Sequence, residues 1–338
     1  MRTRRDGSFR TVLRVPRRPP GSYFVSARTG TFARARFRIA RPPQTMVAAG
    51  DIACRPTEPM QPLACRHGPM SDRVIALAPD VVAPLGDVQY GAATAAEFAG
   101  SYDPTWGRFR AITRPVPGNH EYDGVPDRTR ADGYFGYFGG AAGPPAQGYY
   151  TYEVGDWQAI ALNTGALGYT RALDTLPDDC YPVSCAQGSA QLIWLRGVLD
   201  SLPADKCVVA YWHHPRFSST ISFSHRELTA VYDALRDGGA ELALTGHSHA
   251  YERFAPMDAH GRPDRKHGVR EFVVGTGGKN RRFEDTSGAP GSEFRLPAAA
   301  GFGVLKLRLF VDRYRFRLVG EGGEVLDRGG ERCHGRPR

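Results

Sequence analysis

The sequence predicts an α/β fold, and two observations carry this prediction. The short apolar runs MVAAGD and DVVAPLGD each end in Gly-Asp, as buried strands do when a polar loop follows them. Between these runs, SDRVIALA has the apolar spacing of a helix, with Ser71 as its expected N-cap. Together the three segments predict a β-α-β unit, which pairs its strands in parallel and places its helix on the sheet face.

Later segments repeat this pattern. Further apolar strands are predicted in WQAIALN, CVVAYWHHP, ELALTGHSH and EFVVGTGG. Helices are predicted in SAQLIWLRGVLDSL, with Ser189 as N-cap, and in RELTAVYDALRDGG, which ends at Gly238. The tail segments GVLKLRLF and RYRFRLV alternate apolar and polar residues, and we expect them to form a hairpin.

Residues 1–43 have a different pattern and predict a separate β segment with a Pro-rich linker at its end. The stretches Ser8–Val15 and Ser22–Ile39 alternate apolar and polar residues and predict three strands. Three strands do not close a sandwich, so we expect either a missing natural N-terminus or strands that complete another sheet. The segment resembles part of an immunoglobulin-like module. A second domain is predicted over residues 44–335.

The chain carries a formal net charge of +9, and that charge is unevenly placed. Twelve arginines but one acid, Asp6, lie within residues 1–45, so the remainder is close to neutral. A basic arm that binds polyanions is one interpretation. We favour a solvated basic surface, because no nucleic-acid-binding motif accompanies the charge. No run approaches the roughly 18 consecutive apolar residues of a membrane helix, so no membrane span is predicted.

The six cysteines indicate the compartment. Two pairs are close in sequence and bracket short loops: Cys54 with Cys65, and Cys180 with Cys185. Local pairing predicts disulfides and an extracytoplasmic or secreted protein, although no signal peptide is visible in this chain. Cys207 and Cys333 are left over, and Cys207 opens an apolar run that would also suit a buried thiol. Six free thiols in a cytosolic enzyme are the alternative.

Polar residues stand where apolar strands stop: Asp51, Asp87, Asn119, His213 and His247. Because the carboxyl ends of strands in an α/β sheet meet at one edge, we expect these side chains to lie close together. Nitrogen and oxygen donors suit a transition metal better than calcium, and their number favours two ions. In isolation, Asp51 would also fit an Asx turn, and His213 a core histidine.

Five motifs occur in one order: GDIA at 50–53, GDVQY at 86–90, GNHE at 118–121, AYWHHP at 210–215 and GHSHAYER at 246–253. In these motifs the chain resembles the calcineurin-like metallophosphoesterases, and within them the purple acid phosphatase branch. The resemblance implies two mixed β-sheets packed face to face with flanking helices in the domain 44–335. It also implies a binuclear hydrolase of phosphate monoesters, in which a metal-activated hydroxide attacks phosphorus.

The resemblance also implies a set of metal ligands. Asp87 would bridge two ions; Asp51, Tyr90 and His249 would complete one site, and Asn119, His213 and His247 the other. The general family has a histidine two residues after its first aspartate, whereas this chain has Ala53 and carries Tyr90 in compensation. That combination is typical of the purple branch, in which a tyrosinate holds Fe(3+) beside a divalent ion of Zn, Fe or Mn.

Two histidines are catalytic candidates by the same resemblance. His120 follows Asn119 directly and is the family's usual contact to phosphate, where it assists the leaving group. A second histidine is expected about ten residues after His213, and His225 stands twelve residues after it. His214 is a weaker alternative for this role, and a surface position at the start of a helix is the alternative for His225.

Other interpretations remain open at this level. The same metals would serve a phosphodiesterase or nucleotide hydrolase, and a secreted binding module with an inactive phosphatase domain is a further alternative. The expected partner is a small-molecule phosphate ester, with no nucleic acid and no membrane span. Lys279, Asn280, Arg281 and Arg282 follow GTGG and would either reach substrate anions or form a solvated face. We expect Glu121 to be structural or to support a ligand.

Overall fold

The computed structural model describes residues 21–29, 31–39, 41–167, 179–219, 224–281 and 288–337. The chain divides into two compact units, Met1–Pro42 and Pro43–Arg338. In the first unit, β1 (Gly21–Thr29) and β2 (Thr31–Ile39) pair antiparallel along their whole length. The strand expected within 8–15 lies outside the described residues.

The second unit contains the remaining strands and all five α-helices of the described chain. Its strands are β3 (Gln44–Ala49), β4 (Val81–Pro84), β5 (Tyr150–Val154), β6 (Trp157–Ala161), β7 (Val208–Tyr211), β8 (Leu242–Thr245), β9 (Tyr251–Met257), β10 (Val269–Val274), β11 (Ser292–Arg295), β12 (Gly303–Phe310), β13 (Arg313–Gly320) and β14 (Val325–Arg332). Its helices are α1 (His67–Ala76), α2 (Ala95–Glu97), α3 (Asp132–Phe138), α4 (Ala190–Ser201) and α5 (Thr229–Asp237). None of these helices has both the length and the apolar character of a membrane span.

Two mixed sheets form the second unit, as expected. The larger has the order β11-β9-β10-β8-β7-β6-β5, and the smaller has the order β14-β13-β12-β3-β4. Strands β6, β7, β8 and β10 are parallel, and β3 pairs parallel with β4 through the predicted β-α-β unit. The predicted tail hairpin is β12 with β13. Each sheet becomes mixed because antiparallel strands flank its parallel part.

The main hydrophobic core lies between the two sheets. Phe272 of β10 meets Phe316 of β13 with ring centroids 4.9 Å apart, and both side chains are buried. On the other face of the larger sheet, α4 and α5 pack apolar side chains such as Leu195 and Leu235 against β7 and β8. Helix α1 contributes Val74 to the main core and contacts β12. Burial of these apolar side chains is the main force that holds the layers together.

Two helix caps were expected, and one of them is wrong. The Ser189 side chain accepts the backbone N–H of Leu192 at 3.2 Å and caps α4 as predicted. Ser71 lies inside α1, which begins at His67, and its hydroxyl donates to the carbonyl of Gly68 at 2.7 Å. A serine within a helix can satisfy its hydroxyl on the preceding turn, so its side chain does not mark where the helix begins.

Three disulfides join all six cysteines. Cys54 pairs with Cys65 and Cys180 with Cys185, as expected from their spacing. Cys207 pairs with Cys333, so the interpretation of Cys207 as a buried thiol is wrong. Separated by 126 positions, these two cysteines meet because the C-terminal segment after β14 returns to the start of β7. Three disulfides are consistent with an oxidising compartment.

Candidate metal centre

The loops that follow β3, β4, β7 and β8 meet at one edge of the two sheets. The backbone N–H of Gly50, after β3, donates to the carbonyl of Val274 at the end of β10, at 2.9 Å. The N–H of Gly246, after β8, likewise donates to the carbonyl of His213, after β7, at 2.8 Å. These backbone bonds bring both sheet ends into contact and place the polar residues after each strand in one buried cleft.

Four of the predicted ligands have a left-handed backbone. The φ angles are 60° at Asp51, 47° at Asp87, 70° at His247 and 50° at His249. Non-glycine residues rarely adopt this region, and such strain concentrates at functional sites. Here each strained residue turns the chain sharply after a strand and directs a polar side chain into the cleft. Gly118 is required nearby, because a Cβ there would lie 2.3 Å from Asp87 Oδ1.

We name the first half of the centre, Asp51, Tyr90 and His249, the tyrosine side. The Tyr90 hydroxyl lies 2.8 Å from Asp51 Oδ1 and 2.8 Å from His249 Nε2. It also lies 3.1 Å from Asp87 Oδ2, and His249 Nε2 lies 3.1 Å from Asp51 Oδ1. Three donor atoms, Asp51 Oδ1, Asp87 Oδ2 and His249 Nε2, therefore contact the Tyr90 hydroxyl, and all four residues are buried.

We name the second half, Asn119, His213 and His247, the histidine side. His213 Nε2 lies 3.3 Å from Asp87 Oδ2 and 3.2 Å from His247 Nδ1. Asn119 is 2% exposed and directly precedes His120, whose backbone N–H donates to Asp87 Oδ1 at 2.9 Å. Asp87 therefore contacts groups on both sides, which is the position that a bridging ligand requires.

The catalytic candidates lie beside the histidine side. His120 Nε2 is 3.9 Å from Asp87 Oδ2, and its Nδ1 is 2.7 Å from Asp123 Oδ2. The His225 ring centroid is 5.6 Å from that of His247, and the residue is only 4% exposed. The alternative of a surface position for His225 is therefore wrong. His214 is also buried in this cluster, with its Nδ1 2.8 Å from the hydroxyl of Thr164.

The donor set fits bound cations. Asp51 and Asp87 are buried carboxylates, and within the described chain neither forms a salt bridge with a lysine or arginine. Buried carboxylates are strongly unfavourable unless a cation compensates them, and the basic groups within 4 Å of these two are the imidazoles of His120, His213 and His249. Two carboxylates, a phenol and imidazole nitrogens suit transition metals. Two groups of potential ligand atoms, Asp51 with Asp87 and His213, and His213 with His214 and His247, are close enough for an ion.

The pKa shifts in the centre have clear physical causes. Burial, together with the charges of Asp51 and Asp87, raises the pKa of Tyr90 well above its ordinary value. Burial alone would lower the pKa of His213, but the Asp87 carboxylate outweighs it and raises that pKa to about 9. Burial and the neighbouring His213 lower the pKa of His247 well below its ordinary value. Only a bound cation would favour a tyrosinate at this position.

Several supporting residues were not identified as such from the sequence. Asn280 Oδ1 lies 2.5 Å from His249 Nδ1. The Lys279 ammonium group forms a salt bridge with Glu58 at 2.6 Å and lies 4.9 Å from the Tyr90 ring centroid. Arg281 is buried and donates to the carbonyl of His249 at 3.0 Å. The alternative of a solvated face is therefore wrong for Arg281, which is buried, and contact of Lys279 or Asn280 with substrate stays a prediction. Arg282 lies outside the described residues.

Glu121 supports the loop that carries Asp87. Its carboxylate accepts the backbone N–H groups of Asp87, Val88, Gln89 and Gly118 at 2.6 to 3.2 Å. This agrees with the expectation of a structural role, and the mechanism is anchoring of backbone rather than contact with a ligand imidazole. The only sequence signal was its position directly after the GNH motif.

Comparisons with known proteins agree with this architecture. The family model described as calcineurin-like phosphoesterase matches residues 40–251, more than half of the chain. The purple acid phosphatase PPD1 from yellow lupin (Lupinus luteus) seeds has a TM-score of 0.62 at 20% identity, covering 91% of this chain and 59% of that one. This chain thus spans about three fifths of the lupin protein's length. No curated protein sequence matches the chain.

Two further solved structures are similar. GAP50 of Plasmodium has a TM-score of 0.57 at 14% identity, covering 88% of this chain and 90% of that one. A structure of PhoD has a TM-score of 0.51 at 13% identity, covering 92% of this chain and 74% of that one. At these identities the likeness establishes the fold alone, and it confirms the predicted pair of mixed sheets with flanking helices.

Proposed function

The chain belongs to the calcineurin-like phosphoesterase family, and on that premise we propose that it is an extracytoplasmic, binuclear metal-dependent phosphatase acting on phosphate monoesters. The observation that supports this most directly is the convergence of Asp51, Asp87 and His249 on the Tyr90 hydroxyl within 3.1 Å. Three disulfides support the extracytoplasmic placement.

We assign seven metal ligands to two ions. Asp51, Tyr90 and His249 would hold the first, Asn119, His213 and His247 the second, and Asp87 would bridge them. The tyrosine side has an additional anionic oxygen, which favours Fe(3+), and the histidine side is neutral apart from Asp87, which suits divalent Zn, Fe or Mn. When bound, two ions supply Lewis-acid stabilisation of the phosphoryl oxygens and an activated water.

The protein's own groups then serve the leaving alcohol. Burial opposes protonation of His120, but Asp87 and Asp123 outweigh it and raise the pKa of its imidazole. A protonated His120 can hold a phosphate oxygen or deliver a proton to the leaving oxygen. His225 lies close to His247 and is the second histidine for this task. The His225 imidazole is buried and that of His120 is half-buried, so water competes poorly with the substrate for the hydrogen bonds of His225.

The test compares two aspartates. Asp87→Asn should reduce hydrolysis of p-nitrophenyl phosphate at least about 100-fold, since the metal contribution is worth several kcal/mol. Asp312→Asn, which alters a carboxylate between two surface arginines, is the matched control and should retain the rate. Equal rates in both variants would refute the metal centre. Bis-p-nitrophenyl phosphate is assayed in parallel, and preference for it would replace the monoesterase assignment with a phosphodiesterase.

A further inference from the structure

A cationic array lies on the outer face of strands β12, β13 and β14 in the smaller sheet, away from the metal centre. We define the array by its seven cations: Lys306, Arg308, Arg313, Arg315, Arg317, Arg328 and Arg332. Along β12 and β13 they alternate with inward-facing apolar residues such as Leu307 and Phe316, and along β14 with Asp327, Gly329 and Glu331. The array begins beside Val47 of β3 and extends away from the end of β3 that leads to Asp51.

The strand register aligns these cations in rows. Lys306 lies opposite Arg317, which lies opposite Arg328. In the next row Arg308 lies opposite Arg315. Neighbouring strands are about 4.8 Å apart and alternate residues about 6.8 Å, so the charges are closely spaced. Like charges directly opposite each other destabilise a sheet, so these cations lower the stability of a fold that does not need them.

Few acids offset the array. Asp312 pairs with Arg313 at 3.1 Å and with Arg332 at 2.9 Å. The two acids of β14 lie on the opposite face of the strand, where Asp327 binds Arg253 and Glu331 binds Arg270. The four arginines at the centre of the array are exposed and form no salt bridge within the described residues: Arg308, Arg315, Arg317 and Arg328. Their charge is available to an external anion.

Two local features shape the surface for phosphate groups. Gly330 is the third member of the second row, and a Cβ there would lie 2.4 Å from the Tyr314 carbonyl oxygen. Beside this position lies a shallow trough of about 510 Å³, lined by Arg313, Arg315 and Arg332 and also by Tyr314 and the carboxylate residue Glu331. Phe310 lies beside it, and the Arg313 guanidinium is 4.7 Å from its ring centroid. Contact with an aromatic ring restricts the guanidinium, whose planar fork matches phosphate oxygens.

We propose that the cationic array binds a linear, phosphate-rich polymer. The two rows hold five cations, more than a single phosphate would need, and six of the seven cations of the array are arginines. A second copy of this face would be repelled by its own charge. A bilayer is less suited, because Phe310 is covered by Arg313 and is not among the exposed large apolar side chains of the described chain. The proposal stands independently of the phosphatase assignment.

The experiment measures binding of inorganic polyphosphate and of a short single-stranded oligonucleotide to the full chain across a salt series. The R315S/R317S/R328S triple should bind roughly tenfold more weakly or worse at low salt. Its plot of log K against log salt should be shallower by about 2, because each single-strand phosphate contact contributes about 0.7. If the triple variant binds both probes more weakly, the array binds phosphate chains in general. If it binds only one probe more weakly, that probe identifies the polymer.

The matched control removes three arginines from the basic N-terminal segment: R10S/R14S/R17S. It changes the net charge equally, so it should retain binding if the array is the site. The proposal is overturned if the array triple binds as the wild type does, or if the control loses as much affinity. Retention on anionic phospholipid vesicles without polymer binding also overturns it. The array triple should unfold at the same or a higher temperature, because like-charge repulsion is relieved.

Discussion

The two sides of the candidate metal centre differ in charge and in how their ligands are oriented. The tyrosine side combines a carboxylate and a phenol with His249, whose outer nitrogen lies 2.5 Å from the Asn280 side chain. The histidine side consists of two imidazoles and an amide, and the outer nitrogen of His213 lies 2.8 Å from the backbone carbonyl of Leu85. The orientation of His249 therefore depends on the Asn280 side chain, which a substitution can remove. The orientation of His213 depends on a main-chain carbonyl, which a substitution keeps. We therefore expect that a substitution on one side can weaken binding of its ion without affecting the ion of the other side.

The largest expected effect comes from removing the phenol of the tyrosine side. Tyr90→Phe deletes the oxygen that Asp51, Asp87 and His249 all contact, so the purified protein should fall from two metal ions to one. The visible absorbance of a tyrosinate bound to Fe(3+) should disappear with the phenol. Hydrolysis of p-nitrophenyl phosphate should fall at least about 100-fold. Elemental analysis measures the number of bound ions, and an absorption spectrum measures the visible absorbance.

Tyr122→Phe is the control for that variant. Tyr122 is buried as well, but its hydroxyl accepts from Asn163 outside the centre. Its loss should leave metal content and colour unchanged. Absorbance that persists in Tyr90→Phe would show that the tyrosine is not a ligand.

A smaller effect is expected from the side chain that orients His249. Asn280→Ala removes the hydrogen bond to Nδ1, and loss of such a partner typically weakens metal affinity about 10–100-fold. One ion should then leave more readily during dialysis against a chelator, while the ion of the histidine side stays. Leu85→Ile keeps the carbonyl that contacts His213 and should retain both ions. Equal loss of both ions from Asn280→Ala would contradict the separate behaviour of the two sides.

The smallest effect concerns His120, beside the histidine side. Asp123→Asn weakens the 2.7 Å contact that orients the imidazole but leaves the imidazole itself, so kcat should fall roughly tenfold for alkyl phosphates, less than the roughly 10²–10⁴-fold of a complete acid–base contribution. The decrease should be smaller for p-nitrophenyl phosphate, because nitrophenolate leaves without protonation. Asp127→Asn, on the same loop and contacting Thr129, is the control. An equal decrease for both substrate classes would indicate a structural role for Asp123.

Much of the fold follows from local pattern. The parallel pair β3–β4, helix α4 with its Ser189 cap and the β12–β13 hairpin were all predictable, because strand and helix periods depend on neighbouring residues. Strand β9 was not predicted, since YERFAPM mixes charged residues and a proline. It forms because it pairs with β10 on one side and β11 on the other. Its Arg253 is satisfied by Asp327, a partner far away in the sequence.

The cationic array is a second feature that local sequence pattern does not predict. Averaged along the chain, the residues after the N-terminal segment are nearly neutral, so their composition does not indicate a basic surface. Only the strand register reveals that seven cations share one face while Asp327 and Glu331 turn away. Alternation within each strand was visible in the sequence, whereas the alignment of three strands depends on hydrogen bonds between them.

By itself, the sequence determined the donor types of the metal centre, their order along the chain and the positions of the strands that carry them. Tertiary structure decided which donors meet, that His225 lies inside the cluster, that Cys207 reaches Cys333 and that Asn280 supports His249. The reason is physical: a short segment encodes its own backbone preference and periodicity. Distances between side chains nearly 200 positions apart arise only when two sheets bury their shared core.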